Sequence, residues 1–315
     1  MVSNVTGLAA NVDPNAVNSW GIVFNNNQLF VVENGAGVIT TYNTNGVTIA
    51  TAITVPPAPS NVGVGAPTGL IYYAGSLFTI TQGLNTGPSR LLTCTEDGLV
   101  CGYNATVLPT AAIIAVDRSS VNAVYKGLAI AGNLLYVADF YNARIDTFDS
   151  TFTLQVGYPF VDPTMPAGFA PFNIVYLNNQ LYVLYAKQDL SQIDDVSGPG
   201  NGYVSVFNTS GVFVSRLISG GYLNSPWAMI QVPLVTECSS QNVFLIGNFG
   251  NGTINAYDAQ GKFLGKLQDS QCVDIYIDGL WGLAQAYAGG QIFFASGPNR
   301  ENNGLVGVLT PTACC

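Results

Sequence analysis

Apolar residues come in short, nearly continuous runs separated by turns rich in Gly, Asn and Asp, and the same arrangement returns six times along the chain. One phrase makes the repetition plain. Residues 137–149 read VADFYNARIDTFD and residues 246–258 read IGNFGNGTINAYD. Overlaid without a gap, Phe140 meets Phe249, Asn142 meets Asn251, Ile145 meets Ile254 and Asp149 meets Asp258. Each unit opens on a small or aromatic cluster and an apolar run: NSWGIVF (18–24), APTGLIYY (66–73), VYKGLAI (124–130), APFNIVYL (170–177), SPWAMIQV (225–232) and GLWGLAQA (279–286). A turn then leads to a second run: LFVVEN (29–34), RLLTCTE (90–96), LLYVAD (134–139), LYVLYA (181–186), VFLIGN (243–248) and IFFASG (292–297). A third run follows a polar turn, and a fourth is visible in several units, as in FVSRLI (213–218) and FLGKLQ (263–268).

Six copies at a mean spacing of about fifty residues, with short strands and no helical period between them, predict an all-β, six-bladed β-propeller with four-stranded blades. A blade inside a stack is covered on both faces, which accounts for runs that are apolar throughout rather than alternating. The aromatic that closes strand three (Tyr42, Tyr103, Phe148, Phe207, Tyr257) is expected to fill the gap between neighbouring blades. The chain reads as one domain over 1–315, with blades at about 18–60, 66–118, 124–165, 170–222, 225–272 and 277–313. The last unit lacks a fourth strand, while residues 2–8 offer a spare one. The N-terminal strand is expected to complete blade six and so remove two exposed sheet edges.

Composition narrows the function classes. Hydrophobic residues make up 48% of the chain and charged ones 9%, which supplies a large core and argues against disorder. The net charge is −9 with no basic cluster, so neither nucleic acid nor an anionic membrane surface is an expected partner. Metal cations and polar neutral ligands suit it better. The absence of histidine removes His-based triads, His-ligated zinc and the usual near-neutral general base. No run reaches the roughly 18 apolar residues of a membrane helix, so membrane insertion is not expected. The start, MVSNVTGL, has neither a basic n-region nor an apolar h-region, so a signal peptide is absent or already removed.

Six cysteines stand at 94, 101, 238, 272, 314 and 315, with no C-x-x-C pair. A two-residue turn at Asp97-Gly98 would set Cys94 directly opposite Cys101, and a cross-strand disulfide is expected there; free buried thiols are the alternative. Loop topology puts Cys238 on the same face as Cys314 and Cys315, and a Cys238–Cys314 bridge is expected, with Cys272 left unassigned. Four N-x-S/T sequons, at Asn4, Asn104, Asn208 and Asn251, join the cysteines in pointing to an extracellular or secreted glycoprotein, a virion surface being the alternative.

The segments NVDPNAVNSWGI, TEDGLVCGYN, VYKGLAI, DPTMPAGFAPFNI, SGGYLNSPWAM, GNFGNGTINAYD and IDGLWGL occur in this order. Over nearly the whole chain they closely resemble an uncharacterised family of exported, NHL-like β-propellers, mostly bacterial and some bearing PEP-CTERM sorting tails. The resemblance implies a six-bladed propeller and export, and no established activity. The chain has no such sorting tail and ends in TACC, which points away from bacterial surface anchoring.

Two places could carry chemistry. Strand counting maps Glu33, Glu96, Asp97, Asp139, Asp189, Asp194, Asp195, Asp274 and Asp278 to one face of the ring, and Asp149 and Asp258 to the other. Carboxylates that converge with Asn side chains favour hard cations, so Asp189, Asp194 and Asp195, in the long blade-four loop QDLSQIDDVSGPGNG (188–202), are the candidate ligands of a calcium ion. A solvated acidic loop is the competing reading. Trp20, Trp227 and Trp281 share one position in their units and, with Asp278, are expected near the central channel, where aromatics could stack on a sugar or another planar ligand. Blade-to-blade packing is the alternative for these. The functional expectation is a surface-exposed binding or structural module, taking a protein or a polar or carbohydrate ligand on a loop face or joining a self-assembly. The alternative is a metal-dependent propeller hydrolase or lyase of the lactonase type.

Overall fold

Each apolar run becomes a strand and each Asn- or Asp-bearing turn reverses it, so consecutive strands pair antiparallel. The computed structural model, which describes residues 1–235, 240–286 and 290–311, arranges these strands as six blades in a ring. From the axis outwards, blade one consists of Ser19–Asn25, Gln28–Glu33, Val38–Asn43 and Ile53–Thr54. Blade two has Pro67–Tyr72, Leu91–Thr95, Leu99–Tyr103 and Ile113–Asp117. Blade three has Tyr125–Ala131, Leu134–Asp139, Arg144–Asp149 and Leu154–Gln155. Blade four has Phe169–Leu177, Gln180–Lys187, Gly202–Phe207 and Phe213–Ser219. Blade five has Pro226–Val235, Ser240–Asn248, Ile254–Tyr257 and Phe263–Lys266. Blade six has Leu280–Gln285, Ile292–Ser296 and Leu305–Leu309.

The N-terminus closes the ring as expected. Val2 pairs with Val306 and Ser3 with Leu305, antiparallel, and the Ser3 hydroxyl donates to the Gly304 carbonyl at 2.7 Å. A further strand, Asn11–Val12, lies parallel outside it, so this sheet has five strands. The first loop of blade two is a hairpin of its own, Thr79–Gln82 with Asn85–Pro88, which the six-unit pattern did not foreshadow.

Packing between blades follows the strand-three aromatics. Tyr42 is buried against blade-six residues such as Phe293, Phe148 against blade two, Phe207 against blade three and Tyr257 against blade four. Tyr103 is half-buried. The residue after each aromatic caps the turn to strand four. The side-chain oxygens of Asn43, Asn104, Asp149, Asn208 and Asp258 accept the backbone N–H two residues on, at 2.8–2.9 Å. The repeated Asp149 and Asp258 are therefore turn-forming residues.

The expected Cys94–Cys101 disulfide is not formed. The turn holds three residues, Glu96, Asp97 and Gly98, with Gly98 at φ +79°, so Cys94 pairs with Val100 and Cys101 with Thr93. That one-residue difference sends the two thiols to opposite faces of the blade. Cys94 packs towards blade three and Cys101 into the axial core, both as free, buried thiols that burial pushes up, to about 11 for Cys94. Cys272 is a free, exposed thiol. The expected Cys238–Cys314 bridge lies outside the described residues.

Candidate functional site

Every innermost strand carries a β-bulge at the same place, which turns one side chain towards the axis. Strand register shifts next to Trp20, Thr68, Lys126, Phe172, Trp227 and Trp281, one residue per blade. The following residue is pressed against the neighbouring blade. A Cβ on Gly21 would lie 2.7 Å from the Thr68 carbonyl oxygen, and one on Gly282 would lie 2.4 Å from that of Trp20. These glycines allow the inner strands to approach closely enough for the ring to close around so small a centre.

The three tryptophans meet there as the pattern implied, and they are spent on one another. Trp281 has Trp20 stacked on it at 3.4 Å between ring centroids and Phe249 at 3.8 Å, which covers both its faces. Trp227 meets both other indoles edge-on and donates its Nε1–H to the Lys126 carbonyl at 2.9 Å. The aromatics thus plug the channel, and Trp281 offers no free face to a planar ligand.

Above the plug lies a cavity of about 520 Å³ lined by Asn18, Trp20, Asn34, Glu96, Ile193, Asp194, Asp195, Ser197, Phe249, Trp281 and Glu301. Beneath it the Lys126 ammonium is buried 5.2 Å from the Trp20 ring centroid and is ion-paired with Glu96 and, at 3.3 Å, with Asp194. Burial opposes the charge on Lys126, but these two carboxylates outweigh it and hold the ammonium above its ordinary value. Burial likewise pushes Glu96 up, and Lys126 and Asn34 bring it below the usual value. The hydrogen bonds run as a chain across four blades: Asn18 Nδ2 donates to Asn34, Asn34 Nδ2 to Glu96, and Lys126 to both Glu96 and Asp194.

Glu301 enters from the far side on an uncommon turn. Asn299, Arg300 and Glu301 have φ of 59°, 53° and 64°, three successive non-glycine residues in the left-handed region. Each costs on the order of 1 kcal/mol, and such strain clusters at functional sites. Asp278 holds the turn, its Oδ2 accepting the Asn299 N–H at 2.8 Å. Glu301 accepts from Trp281 Nε1 at 3.1 Å, and burial raises its carboxyl above the ordinary value. Burial raises Asp195 in the same way, with Lys126 opposing. Two fully buried polar atoms of residues that line the cavity, Trp20 Nε1 and Asn18 Oδ1, have no partner among the described residues, and Asn18 Oδ1 packs against Gly297.

The expected sites are therefore brought together in part. Asp194 and Asp195 join Trp20 and Trp281 at one cavity, whereas Asp278 is exposed at its rim and supports the Glu301 turn. Trp227 lies in the plug. Asp189 is turned back on its own loop, accepting from Ser191 Oγ and the Ile193 N–H. With Asp189 and Asp194 so engaged and an ammonium beside them, the three carboxylates do not fit a calcium cage; among the described residues no group of three such side chains is set to hold a metal ion. Glu33 and Asp139 are buried inside their blades, and Asp274 pairs with Lys266 at 2.8 Å. Lys126 and Glu301 were missed. The signal for Lys126 was available, since VYKGL aligns it with Trp20 and Trp281.

Of the sequons, Asn208 and Asn251 are exposed and Asn4 is half-buried. Asn104 is buried, and its Nδ2 donates to the Pro88 carbonyl at 2.7 Å, so it presents no acceptor. Passed through a secretory pathway, the protein is expected to carry glycosidase-sensitive mass at Asn208 and Asn251 and none at Asn104. Peptide mapping checks this, and an occupied Asn104 would contradict it.

No family model matches the chain. The uncharacterized protein L690 of Acanthamoeba polyphaga mimivirus is 39% identical over 318 residues, covering 98% of this chain and 84% of that protein. The uncharacterized protein R648 of the same virus is 37% identical, covering 98% of this chain and 78% of that protein. Both relatives are viral, and nothing in them supports the sorting-tail association that the resemblance implied. Among solved structures, the chain is similar to a protein of unknown function from Bacteroides thetaiotaomicron, with a TM-score of 0.58, 13% identity, and coverage of 94% of this chain and 70% of that one. It is also similar to virginiamycin B lyase from Staphylococcus aureus, with a TM-score of 0.54, 10% identity, and coverage of 95% and 86%. At such identities the likeness shows the fold alone.

Proposed function

Because the chain belongs to the same family of six-bladed propellers as the uncharacterized mimivirus proteins L690 and R648, we propose its function from the site itself: it is a binding module whose ligand site is the acidic cavity on the axis. The observation that carries this reading is the cavity's construction. About 520 Å³ is within the range of small-molecule sites, the aromatic plug gives it a rigid floor, and four carboxylates from three blades converge on it. A polar ligand held by hydrogen bonds suits such walls. Catalysis is less well served. Lys126 is held charged by Glu96 and Asp194, and the one lining hydroxyl, that of Ser197, makes only a long 3.3 Å hydrogen bond to Asp195. The lactonase-type alternative needs a metal-holding ring of carboxylates, and an ammonium stands where that ring would form.

The test is a thermal-shift screen of monosaccharides, polyols, amines and amino acids against the wild type and Glu301→Gln. Compounds that raise the melting temperature of the wild type and lose the effect in the variant are expected. No stabilising compound, or hits indifferent to the substitution, would overturn the reading.

A further inference from the structure

The seam where the ring closes holds a pair of acids without a counter-charge. Asp13, on the segment that supplies the closing strand, is 4% exposed, and Glu33, on the second strand of blade one, is 0% exposed. The Tyr42 hydroxyl stands between them, donating to Asp13 Oδ2 at 3.2 Å and lying 3.4 Å from Glu33 Oε1. Asn15 and Thr48 also donate to Asp13, and Ser19 and Thr40 donate to Glu33. Blade six meets this group with Gly304, Phe293 and Val306, none of them titratable. A Cβ on Gly304 would lie 2.3 Å from the Ala16 carbonyl oxygen and 2.7 Å from the Ser19 hydroxyl, and the other two pack with Tyr42. The titratable groups that face Glu33 are therefore Asp13 and Tyr42. Among the described residues neither carboxyl has a Lys or Arg as an ion-pair partner.

The other blades treat the same positions differently. Counted from the residue that pairs with the strand-three aromatic, Glu33, Asp139, Tyr185 and Asn248 hold one position in blades one, three, four and five. Asp139 is paired with Arg144 at 3.2 Å, and the tyrosine and the asparagine bring no carboxyl. Asp162, which like Asp13 begins an Asp-Pro turn ahead of an inner strand, is paired with Arg216. Only at the seam does the position keep an acid, beside a second one, with no cation to balance either.

We propose that the Asp13–Glu33 pair is a proton-held clasp: a proton on Glu33 allows the closing segment, residues 1–16, to seat against blades one and six, and its loss releases that segment while the blades stay folded. Two like charges cannot both persist so close in a buried site. The closing segment is the part that can yield. Its strands, Val2–Ser3 and Asn11–Val12, are two residues each, and Leu8 and Val12 are about half exposed. Its departure carries Asp13 away and opens Glu33 to water. Burial raises the Glu33 carboxyl from 4.5 to about 8, so the clasp weakens as pH climbs between those values and is weakest above about 8.

Hydrogen–deuterium exchange of the whole chain tests this. Peptides spanning residues 1–16 report on the clasp, and peptides spanning Gly202–Phe207 of blade four serve as the control. After correction for the intrinsic pH dependence of amide exchange, the open population of residues 1–16 is expected to rise at least tenfold from pH 6 to pH 8 in the wild type. It should exceed that of residues 202–207 at both. Glu33→Gln, whose amide has no proton to lose in this range, should abolish the rise. The wild-type comparison stands whether or not the variant folds. An open population that does not change with pH would overturn the clasp, as would exchange of residues 1–16 no faster than that of residues 202–207. A rise that persists in Glu33→Gln would overturn Glu33 as its source.

Discussion

Replacing Trp281 with alanine is expected to cost about 3–5 kcal/mol of folding stability, the largest loss from any single side chain on the axis. The indole is buried and sandwiched between Trp20 and Phe249, with Trp227 and Phe172 each 5.7 Å away centroid to centroid. These neighbours belong to blades one, four and five, so the void would open where the ring is held shut and no one blade could move in to fill it. The substitution also removes the Trp281 Nε1 donor from the half-buried Glu301 carboxyl. Trp281→Phe keeps most of the stack and loses the donor, and a smaller cost of about 1–2 kcal/mol is expected. Urea unfolding of the three proteins measures both. A loss below about 1 kcal/mol for the alanine variant would mean that the plug does not hold the ring together.

The ring could be read from the chain because its cause is repetitive. Six runs with the same spacing must bury both faces against one another, and the spare strand at residues 2–8 could pair only with the incomplete unit. The strand-three aromatics and the Asn or Asp after each of them were legible for the same reason. Local geometry was less so. Whether Cys94 meets Cys101 depends on one residue of turn length, and TEDG reads equally as a two-residue or a three-residue turn. The fourth strands of blades one and three are only two residues long, too short for any period to show.

The cavity was half legible. Trp20 and Trp281 stand out as aromatics in register, while Lys126 occupies the same register and was passed over because its type differs. Its role follows from position: a bulge that aims any side chain at the axis aims a lysine there too, and the turn of blade two and the long loop of blade four then supply its counter-charges. Glu301 could not have been found in this way. The stretch SGPNRENNG has no periodic signal, and nothing in Asn299, Arg300 and Glu301 announces three left-handed residues in succession. Contacts distant in sequence hold that conformation: the Asn303 carbonyl accepts the Asn18 N–H of blade one at 3.1 Å, and Asp278, at the start of blade six, caps the Asn299 N–H. The same context explains why strand counting sent Glu33 to the acidic face: it ends a strand whose sheet position, not its turn, decides that the side chain points inward.

Glu33→Gln is expected to stabilise the protein, and increasingly so as pH rises from about 5 to 8. Glu33 is fully buried; burial first, and the nearby Asp13 carboxylate after it, push its carboxyl from 4.5 up to about 8, against hydrogen bonds from Ser19, Thr40 and Tyr42. Unfolded, the group ionises near its ordinary value. Between the two values the folded chain therefore holds a proton that the unfolded chain has released, and stability falls as pH rises through that window. The stabilising contribution of the neutral carboxyl is complete below about 4.5 and gone above about 8. At about 1.4 kcal/mol per pH unit, the whole window corresponds to on the order of 5 kcal/mol. Glutamine keeps the shape and an oxygen for the Thr40 and Tyr42 hydroxyls, and it has no proton to lose in this range. The variant should match the wild type near pH 5 and exceed it by roughly 3 kcal/mol or more at pH 8, with a flatter profile between. Urea unfolding at pH 5, 6, 7 and 8 reads the two slopes. Parallel profiles would show that Glu33 is already ionised in the folded protein, and that Ser19, Thr40 and Tyr42 solvate a charge rather than a neutral acid.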